Sequence, residues 1–308
     1  MSPAARFSLG SHPRPLRKNR MKTSHAVDPT RVITNVDELR REVAAARRAG
    51  QTVGVVPTMG ALHAGHVSLV DAASRECDLT IVTIFVNPTQ FGPGEDFGKY
   101  PRRLAEDLEI LNGHGAQLVF APSTGSMYAP GHATHVEVAG PAMPLEGMFR
   151  PGHFRGVATI VLKLFHLVQP DRAYFGRKDY QQSLVVRRMV DDLDLSIHVE
   201  VCPTVREADG LALSSRNQYL SAEERERALA ISKSLRLAAR LVGEGTRDAP
   251  TVIARMQEVL RGANLEVEYV ALADPDTLEP RAVVDRQTVA LVAARVGKTR
   301  LIDNEFIA

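Results

Sequence analysis

Hydrophobic positions along the chain follow two spacings from residue 31 onward. Short apolar runs rich in β-branched residues, at 52–56, Leu79–Val86, Gln117–Phe120, Arg172–Phe175 and Ile197–Val201, read as strands. Between them apolar residues recur three and four apart over 64–76, 102–112, 155–168 and 179–193, which predicts amphipathic helices. An earlier helix opens at Asn35, a capping residue with Glu38 as its partner, and stops at Gly50. Apolar strands that alternate with helices predict an α/β, Rossmann-like parallel sheet with helices on both faces. Ligands in such sheets sit beyond the carboxyl ends of the strands.

The pattern changes near residue 205. Ser221 and Glu224 form a capping box for a long helix to about Val242, which Gly243 and Gly245 end. A second helix follows near 250–261, and Val267–Ala273, Val283–Val284 and Thr288–Ala294 read as antiparallel strands. The expected organisation is therefore a basic extension over 1–30, a Rossmann-like domain over 31–204 and a smaller α+β C-terminal domain over 205–308.

Charge changes the picture of the first residues only. The formal net charge is +2, but Arg6, Arg14, Arg17, Lys18, Arg20 and Lys22 all fall within residues 1–27, which hold no acid. The remainder carries 32 basic against 36 acidic residues, so a nucleic-acid-binding body is not expected. The tail lacks an apolar segment, weakly resembles an organelle transit peptide, and reads more simply as a disordered extension with Met21 as the true start. No apolar run approaches the roughly 20 residues that cross a bilayer. Cys77 and Cys202 stand alone, which fits a reducing, cytoplasmic setting.

The densest chemistry lies in Pro57–His66. A strand, a glycine-punctuated turn, a helix start and two imidazoles, His63 and His66, together suit a phosphate group. Zinc is disfavoured, because the spacing is three and Ala64, not Glu, follows His63. After the next strand, Asn87 and Gln90 offer neutral donors and acceptors for a small polar substrate. Lys178 and Asp179 open a later helix with Gln182 one turn on, where the lysine can neutralise phosphate charge. Leu213–Arg216 places two hydroxyls and a guanidinium near the junction with the C-terminal part. Glu106 and Asp107 are possible outer ligands of a nucleotide-bound Mg²⁺. Val292–Thr299 imitates the end of a P-loop but has Val292 where its first glycine must stand, and is rejected.

Four blocks, Pro57–His66, Phe85–Gly92, Phe175–Gln182 and Val205–Arg216, occur in this order, and over about residues 31–308 the chain closely resembles the pantoate–β-alanine ligase family. The first block also resembles the His-x-Gly-His signature of the wider nucleotidylyltransferase superfamily. The resemblance implies a Rossmann-like domain with a smaller lid domain, a homodimer, and use of ATP with Mg²⁺ to join pantoate and β-alanine through a pantoyl adenylate. It implies ATP contacts from Met59, Gly60, Ala61, Leu62, His63, Ala64, Gly65 and His66, with His66 as proton donor to the phosphates. Gly176, Arg177, Lys178, Asp179, Val205 (through its backbone), Leu213, Ser214, Ser215 and Arg216 would complete the ATP site. Of these, His63, Lys178, Ser214 and Arg216 would take part in the chemistry. Gln90 and Gln182 would hold pantoate, Gln90 also meeting β-alanine, and Asp107 would be the magnesium ligand. Arg177 replaces the family's usual Glu and is expected to face solvent or a partner, and Leu213 replaces its usual Met, a nearly volume-conserving change. The alternative is a nucleotidylyltransferase with a stable nucleotide product.

Overall fold

A computed structural model describes residues 30–285 and 287–307. The readings made for residues 1–29, a basic extension and a start at Met21, lie outside the described residues.

The first strand is β1 (Arg31–Ile33), a short edge strand that the hydrophobic pattern did not reveal. It is followed by α1 (Val36–Arg48), β2 (Val53–Thr58), α2 (Ala64–Glu76), β3 (Leu79–Ile84), α3 (Leu104–Leu111) and β4 (Leu118–Phe120). Asn35 accepts the Asp37 and Glu38 N–H groups, so its predicted cap is formed. Two single-turn helices come next, α4 (Thr124–Met127) and α5 (Glu146–Phe149). Then α6 (His153–Val168), β5 (Arg172–Gly176), α7 (Tyr180–Asp192) and β6 (His198–Cys202) complete the sheet region.

All six strands are parallel, in the order β1-β4-β3-β2-β5-β6. Successive strand residues point to opposite faces. Val55 and Ile81 accordingly join one core with α1, α6 and α7, while Val56 and Val82 join another with α2 and α3. The doubly covered Rossmann-like sheet is therefore present. Its neighbours β2 and β5 matter most for function. The chain leaves β2 toward β3 and leaves β5 toward β6 on the other side, so a crevice opens beyond their carboxyl ends.

The C-terminal part holds α8 (Ala222–Gly243), α9 (Ala249–Gly262), β7 (Glu266–Ala273), β8 (Val289–Val296) and β9 (Thr299–Phe306). The Ser221–Glu224 capping box opens α8 as expected. The antiparallel order is β7-β8-β9, which corrects the assignment of Val283–Val284 as a strand. Val283 is 61% exposed and makes only an isolated bridge to Asp248. The third strand lies further on, because Gly297 at φ +57° lets Val296 and Thr299 pair across a two-residue turn. The P-loop imitation is that hairpin.

The two sheets are joined by more than their linker. Tyr180 and Leu184 of α7 pack with Leu278, Val289 and Leu291 in one apolar cluster. Beside it the Arg300 guanidinium of β9 grips both carboxylate oxygens of Glu146, at 2.7 and 2.5 Å, and also Glu268 at 2.7 Å.

Candidate functional site

A cavity beyond β2 and β5 collects most of the predicted residues. It is lined by Met59, Gly65, His66, Gly176, Asp179, Val205, Leu213 and Ser215, together with the groups treated below. Gly60, Ala61, Leu62, Ala64 and Arg177 do not line it. Arg177, expected to face solvent or a partner, lies over the partly exposed Phe306 ring, 5.5 Å from its centre.

His63 is the N-cap of α2, not a residue of its first turn. Its Nδ1 accepts the Gly65 N–H at 3.1 Å, and the His66 Nδ1 accepts the His63 N–H at 3.3 Å. A capping box usually uses a hydroxyl and a carboxylate; here two imidazoles perform it, their ring centres 4.1 Å apart. Gly65 permits this, since a Cβ there would stand 2.9 Å from the His63 ring. The consequence is chemical. With Nδ1 an acceptor in each ring, the proton of the neutral imidazole resides on Nε2. Burial, with Lys178 next, lowers the His63 pKa to about 4; burial, with His63 and Lys178 after it, lowers that of His66 to about 3. Both rings are neutral near pH 7 and offer Nε2–H to a ligand. The backbone N–H groups of the helix start were expected to face the anion, but the imidazoles already take two of them.

Asp107 has a different task from the magnesium ligand expected of it. It is 1% exposed, and its carboxylate accepts the Ala61 N–H at 3.1 Å and the Leu62 N–H at 2.7 Å. Those bonds hold a turn in which Gly60 (φ +82°) and Ala61 (φ +50°) are both left-handed. A side chain at Gly60 would meet Asp107 Oδ2 at 2.9 Å. Among the described residues no group of three or more His, Cys, Asp or Glu side chains could hold a metal ion.

Lys178 sits in a 3-10 turn between β5 and α7, with its Nζ 3.8 Å from Asp179. The Asn304 amide of β9 donates to the Arg177 and Lys178 carbonyls, both at 2.9 Å. The Ser214 Oγ accepts the Arg216 N–H, and the Ser215 Oγ donates to the Ala61 carbonyl at 3.0 Å. The Leu213–Arg216 loop thereby fastens to the Gly60–Ala61 turn. Arg216 is paired side-on with Asp96, Nε and Nη2 each 3.0 Å from a carboxylate oxygen. Its remaining N–H groups are what it can offer a phosphate. The Val205 carbonyl accepts the Leu213 N–H at 3.0 Å.

Gln90 is buried at the end of the turn after β3. Its Oε1 accepts from Asn87 Nδ2 at 3.0 Å, and its Nε2 lies 3.1 Å from Met59 Sδ. The Gln90 carbonyl accepts from His153 Nδ1 at 2.8 Å, which puts that ring's proton on Nδ1 and leaves Nε2 to accept from Arg150. Burial and then the Arg150 charge lower the His153 pKa to about 4. Arg150 in turn holds Glu95 at 2.7 Å. Gln182 lines the cavity, whereas its neighbour Gln181 turns away to the Pro141 and Pro144 carbonyls.

Asp96, Glu95, Arg150, His153 and Gly156 escaped the sequence reading. Gly156 carried a signal, as a glycine inside a helical pattern: a Cβ there would fall 2.3 Å from the Thr89 carbonyl oxygen, so α6 reaches the Gln90 turn only without a side chain.

A parallel sheet with a switch-point cavity, a lysine, and neutral donors at a helix start define a nucleotide-using α/β enzyme of the Rossmann-like class. The family model for pantoate-beta-alanine ligase matches residues 31–306. Pantothenate synthetase of Moorella thermoacetica is 51% identical over 274 residues, 89% of this chain and 97% of that protein. Pantothenate synthetase 1 of Bradyrhizobium diazoefficiens is 52% identical over 279 residues, covering 90% and 98%. The crystal structure of pantothenate synthetase from Thermus thermophilus superimposes with a TM-score of 0.86 at 48% identity, covering 90% of this chain and 99% of that one. Pantoate-beta-alanine ligase from Francisella tularensis, complexed with beta-gamma ATP and beta-alanine, does so with a TM-score of 0.75 at 33% identity, covering 90% and 97%. The chain belongs to the pantoate–β-alanine ligase family, enzymes that form an amide bond.

Proposed function

We propose that the chain condenses (R)-pantoate with β-alanine at the expense of ATP, giving pantothenate, AMP and pyrophosphate through a pantoyl adenylate. The observation that carries this is the composition of one cavity, where His63, His66, Lys178, Ser214 and Arg216 stand with Asn87, Gln90 and Gln182. The first five are donors or cations for a triphosphate, and the last three suit hydroxyl and carboxylate groups. The pantoate carboxylate oxygen attacks the α-phosphorus, and the bond to the bridging oxygen breaks as pyrophosphate leaves. The unprotonated β-alanine amine then attacks the acyl carbon, AMP departs with the oxygen that joined it to the acyl group, and the nitrogen sheds one proton to solvent. In-line transfer of this kind asks for positioning and charge neutralisation rather than a protein nucleophile. The thiols agree: burial raises the pKa of Cys77 and Cys202.

His66 acts here as a hydrogen-bond donor through neutral Nε2–H, not as an imidazolium that surrenders a proton. Magnesium enters with the nucleotide. Asp107 is committed to the backbone, and an Mg²⁺ that arrives with ATP would need no cage of protein carboxylates, because phosphate oxygens and water would supply most of its ligands. The Leu213–Arg216 loop, fastened by Ser215 and Arg216 to the other side of the cavity, supplies the cover a lid needs. Gly176, Asp179 and the Val205 backbone complete the nucleotide side. Exposed Met143, Met148 and Phe149 around α5 offer an apolar face to a second copy in a homodimer. No helix among the described residues is long and apolar enough to cross a membrane.

The test is to supply ATP, Mg²⁺ and pantoate without β-alanine. About one pyrophosphate per site should be released before near-arrest, since a closed site shields an acyl adenylate from water. Adding β-alanine should then yield pantothenate and AMP. A nucleotidylyltransferase would instead release pyrophosphate continuously and accumulate a durable conjugate; the relatives named above do not favour that reading.

A further inference from the structure

Among the described residues Lys178 is the one lysine lining the cavity, and the turn that carries it is tied to the other sheet by Asn304. Asn304 lies on β9, more than 120 residues away in sequence, and is 3% exposed. Its single amide nitrogen divides two N–H groups between the Arg177 and Lys178 carbonyls. The Asn304 Oδ1 is buried and finds no partner among the described residues. A buried amide that satisfies only its donor half is an unfavourable choice for mere packing, so the donor half is what the position requires. The neighbouring residue points the same way. Asp303, also 3% exposed, holds Arg206 at 2.6 Å on the segment that leads to the Leu213–Arg216 loop. Adjacent residues of β9 therefore tie the small sheet to both loops assigned to the triphosphate.

We propose that Asn304 is a positioning residue that sets where the Lys178 ammonium meets the nucleotide. The inference rests on the proposed ATP site but not on which acid is activated there. Two carbonyl oxygens converge on one nitrogen, so only a side chain with two donor hydrogens serves both. Aspartate has the same shape and only acceptors, and would set a carboxylate oxygen against two carbonyl oxygens. The turn would then shift and carry Lys178 with it. Displacement of a positioning group by about 1 Å can cost on the order of 10²-fold in rate.

The experiment compares Asn304→Ala, the isosteric Asn304→Asp, Lys178→Ala and the double variant Asn304→Ala/Lys178→Ala. Pantoate-dependent exchange of pyrophosphate into ATP should fall roughly 10- to 100-fold in Asn304→Ala and further in Asn304→Asp. The KM for pantoate should stay within about twofold, because Gln90 sits on another element and α7, which carries Gln182, is anchored independently by Gln181. In the Lys178→Ala background, Asn304→Ala should cost almost nothing more. Multiplicative loss in the double variant, or full exchange activity in a single variant whose Tm has dropped, would overturn the proposal. ATP binding by calorimetry is measured in parallel, with a weakening of about tenfold expected for Asn304→Ala only when Lys178 is present. If the unmodified chain bound ATP but made no pantothenate, the proposed reaction would fall, and this binding comparison would still decide the role of Asn304.

Discussion

Replacing Asp107 separates a structural carboxylate from a metal ligand. In Asp107→Ala the Ala61 and Leu62 N–H groups, bonded at 3.1 and 2.7 Å, lose their acceptor beside the left-handed Gly60–Ala61 turn. Each buried donor left without a partner costs about 1–3 kcal/mol. Burial already raises the Asp107 pKa, so removing the charge returns part of that loss. A net cost of about 3 kcal/mol results, which at about 2–4 °C per kcal/mol means a Tm lower by roughly 6–12 °C. Asp107→Asn keeps one acceptor oxygen and should lose about half as much. Both variants should raise the KM for ATP, because the turn precedes His63. Differential scanning calorimetry and initial rates against free Mg²⁺ read these effects. The Mg²⁺ concentration giving half-maximal rate should match the unmodified enzyme in Asp107→Asn. An unchanged Tm with a strongly raised Mg²⁺ requirement would refute this reasoning and return Asp107 to the metal.

His66→Ala should lower kcat by roughly 10²–10³ through loss of one preorganised donor, with a Tm lower by about 2–4 °C because the His63 N–H loses its acceptor; a variant of normal turnover would remove His66 from the mechanism. The pH dependence follows from the two depressed histidines, whose folded values of about 4 and 3 lie below the ordinary 6.5. The unfolded chain binds these protons first, so their contribution to stability is intact above about pH 6.5 and declines as pH falls toward 4 and then 3. The acid limb of kcat/KM for ATP should follow the folded values, and a limb centred near 6.5 would show that the rings are not held neutral. Gln90→Ala should raise the KM for pantoate far more than that for ATP; the reverse pattern would move Gln90 to the nucleotide. Gly156→Ala should cost about 1–3 kcal/mol through overpacking against the Thr89 carbonyl, and should raise the KM for pantoate as the Gln90 turn shifts. Wild-type Tm and KM would show that α6 has room to retreat.

The parallel sheet was legible because its strands are apolar on both faces and its helices carry their own caps, as at Asn35 and Ser221. β1 was not, since three residues with two of them exposed leave no periodic signal. β9 was hidden by its charges: Arg300, Asp303 and Asn304 look like surface residues until the Glu146, Arg206 and Lys178 partners are known. His63, His66, Lys178, Gln90 and Gln182, picked out by their motifs, line one cavity because each follows a strand end. What they could not give was partnership. That Arg216 is shared with Asp96, or that Asp107 turns inward, depends on contacts 120 and 45 residues apart.

The Glu146–Arg300 pair has a consequence for how the molecule comes apart. By wiring the chain is two sheets, yet the side chains of Glu146 and Arg300 are only 6% and 15% exposed, and both also bond Tyr269 or Glu268. Pulling the sheets apart would break this pair and expose Tyr180 and Leu184 to water, although Arg300 would keep Glu268 and Glu146 its longer contact to Arg150. The pair therefore opposes any swing of one sheet against the other, while each sheet keeps an apolar core of its own.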